Sequence, residues 1–176
     1  MNKKEKRFLG ISIRYLFLIL VAFNSFWIFY FILRPLTLYP VYFLLKTFYN
    51  VSLSGIILQV EKVSIEIINA CIAGSAYYLL LILNLSIPSK IFKRLKMICF
   101  AFLLLLIMNI LRIFFFSLLA ISGSSFFDLT HKIFWYFLSI FFVLGIWFLE
   151  VKIFKIKEIP LYSDLKFIYG NSSLKK

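Results

Sequence analysis

The sequence predicts an all-α integral membrane protein: about four transmembrane helices in a bundle, with an interfacial helix and a short extracytoplasmic β-hairpin. Three observations carry that expectation. The chain is 63% hydrophobic and 20% aromatic, with 23 Phe against 7 acidic residues, outside the usage of a soluble domain. Its apolar residues gather in runs of membrane-crossing length. Its basic residues, net charge +13, sit in clusters between those runs, as the positive-inside rule expects. Because the charges alternate with apolar runs, nucleic-acid binding is not needed to explain them.

The elements follow in order. A basic leader with Lys3, Lys4, Lys6, Arg7 and Arg14 precedes a first span at residues 15–34, closed by Arg34-Pro35. Residues 36–49 hold Pro40, Lys46 and several tyrosines, and are too short and too interrupted to cross, so they predict an interfacial or re-entrant helix. Over residues 51–68, β-branched residues alternate with Ser52, Ser54, Ser64 and Glu66, which predicts a hairpin outside the membrane. Further spans follow at 71–87, 97–122 and 126–149, separated by the cluster Lys90, Lys93, Arg94, Lys96 and by the turn Gly123-Ser124-Ser125. Residues 1–160 thus form one polytopic domain, and 161–176 a polar basic tail, weakly ordered and cytoplasmic like the N-terminus.

This topology brings unusual residues to one depth. Cys71 opens the second span at the outer face, Arg112 stands inside the third, and His131, the only histidine, lies in the first turns of the fourth. Arg at mid-membrane costs about 2.5–3.5 kcal/mol on insertion scales, so such a residue usually faces the protein interior and a function, although snorkelling at a helix end is the plain alternative. A thiol, an imidazole and a guanidinium together supply a nucleophile, a base and an oxyanion stabiliser for acyl transfer. A helix N-terminus would favour the Cys71 thiolate, whereas a free cysteine is otherwise most often a small buried apolar residue. Asn109, one turn before Arg112, either orients the guanidinium or packs between helices. Asp128 either caps the fourth helix or holds the His131 ring, with capping favoured. Cys99 lies roughly 20 Å below Arg112 and is assigned a structural role; no disulfide, metal cluster or phosphate loop is indicated, and no cofactor is implied.

Asn69-Ala70-Cys71-Ile72-Ala73-Gly74-Ser75 opening one span, Asn109-Ile110-Leu111-Arg112 in the next and His131 opening the last resemble the exosortase/archaeosortase transpeptidases, over about residues 65–147. That resemblance implies Cys71 as nucleophile with Arg112 and His131 as the other catalytic residues. It implies exported protein substrates bearing a C-terminal transmembrane sorting signal, cleaved at the extracytoplasmic face of the cell membrane, with a membrane lipid as candidate acceptor of the new C-terminus. Where the family commonly has a hydroxyl residue and then Gly after the Cys, this chain has Ile72-Ala73-Gly74, and few helices precede the hairpin, as in a short archaeal-type member. The competing expectation is a non-catalytic membrane assembly or transport subunit in which Arg112 binds lipid or a partner helix.

Overall fold

A computed structural model describes residues 3–23, 27–133 and 139–171. Its elements are α1 (Lys3–Phe23), α2 (Trp27–Lys46), β1 (Val51–Ser54), β2 (Ile57–Val60), β3 (Val63–Glu66), α3 (Asn69–Ile72), α4 (Gly74–Leu85), α5 (Ile91–Ile121), α6 (Phe127–Ile133), α7 (Ser139–Ile153) and α8 (Tyr162–Asn171). The protein is therefore mostly helical, with one small antiparallel sheet of order β1-β2-β3. Two helices, Trp27–Lys46 and Ile91–Ile121, are long and apolar enough to cross a membrane.

Helix α5 is the axis of the molecule. Met97, Ala101, Leu105, Asn109, Ile113 and Ser117 recur every four residues and are all buried, forming one inward stripe, while Leu95, Leu103 and Phe115 point outward and stay exposed. Around that stripe lie three apolar clusters. At one end Ile87, Met97 and Trp147 pack beside the basic residues; in the middle, Phe29, Tyr77, Leu80, Leu105 and Ile146 join α2, α4, α5 and α7. At the other end Leu38, Val41 and Leu45 of α2 meet Leu58 and Val60 of β2 and Ile113 of α5. These are called below the basic end and the sheet end.

The first span expected at 15–34 is not one helix. α1 stops at Phe23, α2 starts at Trp27, and α2 continues through Arg34, Pro35 and Pro40 to Lys46, so residues 36–46 are its second half and not a separate interfacial helix. Each interior proline costs about 3 kcal/mol. Burial of Leu33, Leu38, Val41 and Leu45 on one face outweighs that cost at about 1.5–3 kcal/mol apiece. The hairpin expected at 51–68 contains one more strand than a hairpin, with register Ser54↔Ile57 across the first turn and Val60↔Val63 across the second. Gly55 takes φ 62° in the first turn, and Glu61 takes φ 52° in the second, which composition does not advertise.

The expected span 71–87 is broken at Ala73 into α3 and α4. The expected span 97–122 begins earlier, at Ile91, and takes the basic cluster into its first turns. It ends as expected at Gly123, where φ is 63° and Ser124 N donates to Leu119 O at 3.3 Å while Gly123 N donates to Ala120 O at 3.2 Å, a Schellman closure. The expected span 126–149 holds α6 and most of α7; residues 134–138 lie outside the described residues, as does Trp135. The tail is not a loose polar segment over its described part. It forms α8, whose Asp164 is 1% exposed and paired with Arg14.

Candidate active site

The site begins where the sheet hands the chain to the helices. β3 runs through Ile67 and Ile68 into α3, a single turn in which Cys71 N donates to Ile68 O at 2.9 Å. Ala73 then adopts a left-handed conformation, φ 58° and ψ 41°, and ends the turn before Gly74 starts α4. An alanine there costs about 1–2 kcal/mol relative to ordinary helix, so the surrounding packing must impose it. At Gly74 a Cβ would stand 2.8 Å from Tyr30 Cε1, so glycine lets α2 and α4 close against each other beside the break.

The break sets the polar geometry. The Cys71 carbonyl accepts from two side chains of α5, Asn109 Nδ2 at 2.9 Å and Arg112 Nη2 at 3.1 Å. From the opposite side, Arg34 Nη2 of α2 donates to Asn69 Oδ1 at 2.5 Å. The turn that carries the thiol is thus gripped at Asn69 and at Cys71, by guanidinium groups from two different helices. Asn109, in the buried stripe, orients the turn rather than merely filling space.

Cys71 is half-buried and opens onto a cavity of about 670 Å3, within the range of ordinary ligand sites. Its walls are β3, Arg112, Phe116 and His131, with Phe127 and Lys132 beside the histidine. The His131 ring stacks on Phe127 at 5.6 Å and meets Phe116 edge-on at 5.3 Å, which fixes its plane at the rim. The three residues singled out in the sequence therefore line one cavity. No family model, curated protein or solved structure matches the chain. The site is judged on its own geometry.

Two expectations change. Cys71 does not open a long helix, so the dipole of one turn gives its thiol little help; the Arg112 and His131 side chains stand with it on the cavity wall. Asp128 falls inside α6, which starts at Phe127, and so is not the residue before the helix; its side chain lies outside the described residues. Cys99, assigned a structural role, is exposed on the outer face of α5. Among the described residues, no group of three or more His, Cys, Asp and Glu assembles a metal-ligand set. Arg34, which holds the turn at Asn69, is a contact that the sequence does not flag. Like Arg112 it is a lone arginine with apolar residues on both sides, but Arg34-Pro35 reads locally as a helix stop.

Proposed function

We propose that the protein is a multi-pass membrane cysteine peptidase/transpeptidase of the exosortase/archaeosortase kind, acting on exported proteins that carry a C-terminal transmembrane sorting signal. The observation that carries this reading is the cavity onto which Cys71, Arg112 and His131 all open. In the proposed topology the chain crosses first on α1 and α2, then on α3–α4, α5 and α6–α7. The basic end is cytoplasmic and the sheet end outside, as the lysine and arginine clusters favour.

The chemistry follows from the donors present. His131 takes the proton from Cys71 Sγ, the thiolate adds to the scissile carbonyl, and Arg112 donates to the oxygen as it becomes negative. The C–N bond then breaks, the imidazolium returns its proton to the departing amine, and a thioester remains on Cys71. Water, or a hydroxyl or amine of an acceptor such as a lipid, attacks the thioester with His131 as base and regenerates the thiol.

Co-expression with exported proteins ending in a short motif, an apolar span and a basic tail tests the reading. The parent protein should process them, and Cys71→Ser, with a hydroxyl far harder to ionise, should leave them uncleaved at unchanged membrane abundance. Normal processing by Cys71→Ser removes the nucleophile. The second reading, a non-catalytic subunit, draws on the Arg112 bond to the Cys71 carbonyl, which would serve equally to lock α3 against α5. It requires no reactive thiol, so a Cys71 inert to a membrane-impermeant alkylating reagent favours it.

A further inference from the structure

We propose that the free edge of β3 is the substrate-binding strand, so that an extended peptide joins the sheet as its fourth strand and is delivered by that pairing to Cys71. The inference rests on the peptidase reading and names how its substrate is held.

Three observations point to the edge. Among the described residues, the strand order β1-β2-β3 gives β3 a partner on one side only. Residues 63 to 68 line the cavity without interruption, including both Ile65, which packs toward the apolar cluster, and the exposed Ser64 and Glu66. A strand that offered one face would contribute every second residue, so an unbroken run means that its backbone is presented edge-on. The direction of the backbone groups follows from register. Ile67 N donates to Ile56 O at 3.0 Å, continuing the pairing Ile57↔Glu66 and Leu58↔Ile65. Alternation in an antiparallel ladder then turns the N–H and C=O of Val63 and Ile65 toward β2, and those of Ser64 and Glu66 toward the cavity.

Those outward groups are what an incoming strand requires, and main-chain pairing of this kind gives affinity while alternate side chains give selectivity. The facing wall is apolar and aromatic, with Ile113, Phe116 and Ala120 of α5 and Phe127 of α6, and it receives every second side chain of the peptide. Only Ile67 and Ile68 separate β3 from α3, so a peptide in register with Ser64 and Glu66 reaches Cys71 a few residues further along. An edge left open in this way is otherwise a liability for pairing with other chains, and α5 and α6 confine access to it. The occupant is thus an extended segment with small or apolar residues at alternate positions and no proline where an N–H must donate.

The test uses Cys99→Ser protein, in which Cys71 is the single thiol. Its labelling rate is measured with a tetrapeptide vinyl sulfone of small apolar residues, with the same peptide N-methylated at either set of alternate amides, and with N-ethylmaleimide. Methylation in one register should slow labelling about tenfold and in the other register little, the effect expected when one strand-pairing hydrogen bond is removed and a methyl intrudes. Measured against Glu66→Gln, which loses the same charge near Cys71 but keeps the outward N–H, Glu66→Pro should cause the same loss for the unmodified peptide. N-ethylmaleimide should react equally in Glu66→Pro and Glu66→Gln, which carry the same charge. Equal labelling by methylated and unmethylated peptides, with N-ethylmaleimide still reactive, overturns the edge-pairing mode and leaves the peptidase reading standing. A Cys71 that reacts with none of these reagents overturns both. Should Glu66→Pro fail to accumulate, the N-methyl comparison decides alone.

Discussion

Two arginines in this protein show what a partly buried guanidinium can be for. At the basic end, Arg14 Nη2 lies 2.9 Å from Asp164 Oδ2 and 3.1 Å from Oδ1, Nη1 donates to Leu85 O at 2.6 Å, and Nε donates to Gly10 O at 3.2 Å. Every nitrogen has an acceptor, so the group is committed to holding α1, α4 and α8 together. At the sheet end, Arg112 places Nη2 on the Cys71 carbonyl and still faces the cavity. A neutral carbonyl satisfies less of its charge than a carboxylate does. Arg14 is fully paired and structural; Arg112 shows one acceptor among the described residues, and the proposed oxyanion role draws on its remaining donors.

The contrast can be broken most forcefully at the basic end. Arg14→Ala strands the buried Asp164 carboxylate, and such a loss typically costs about 3–5 kcal/mol. Membrane abundance and thermal stability should fall steeply, with turnover per folded molecule unchanged. A stable Arg14→Ala protein would show that the pair is decorative. Arg112→Lys should do the reverse: abundance close to the parent, and processing down by a factor of about 10² to 10³, because one compact charge replaces a planar fork of donors. Near-normal processing in that variant sinks the oxyanion role and leaves Arg112 a helix anchor.

Smaller effects sharpen the picture. Gly74→Ala drives a methyl to 2.8 Å from Tyr30 Cε1 and should destabilise by about 1–3 kcal/mol, with Tyr30→Leu in the same chain recovering part of it; no recovery would place the strain elsewhere. Asn109→Ala should cost about 1 kcal/mol. Since Asn109 and Arg112 share the Cys71 carbonyl, a double-mutant cycle should show coupling, and strict additivity would mean that they act apart. Cys99→Ser, on the exposed face of α5, should stay within about 0.5 kcal/mol of the parent by melting temperature.

How much of this was legible depends on the kind of signal. Convergence of Cys71, Arg112 and His131 on one cavity could be anticipated by counting helical rise from the turns, because apolar runs and basic clusters fix depth. The break at Ala73 could not, since the positive φ falls on the alanine and not on the adjacent Gly74, and tertiary contacts impose it. Arg34 was not legible because the residue before a proline reads as a helix end, whereas burial of one apolar face carries α2 past both prolines. α8 was missed for a similar reason: its composition is polar, and its docking depends on Arg14, far away in sequence.

The Arg14–Asp164 pair also bears on how the molecule is made. Its partners are separated by 150 residues, so α1 emerges and must be accommodated long before its counter-charge is synthesised. Throughout that interval Arg14 has water, lipid phosphate and, once α4 exists, the Leu85 and Ile87 carbonyls as partners, and the carboxylate comes only with α8. Maturation of the helical bundle is thereby delayed until α8 exists, and a chain terminated before Tyr162 should be recognised by quality-control proteases as unfinished.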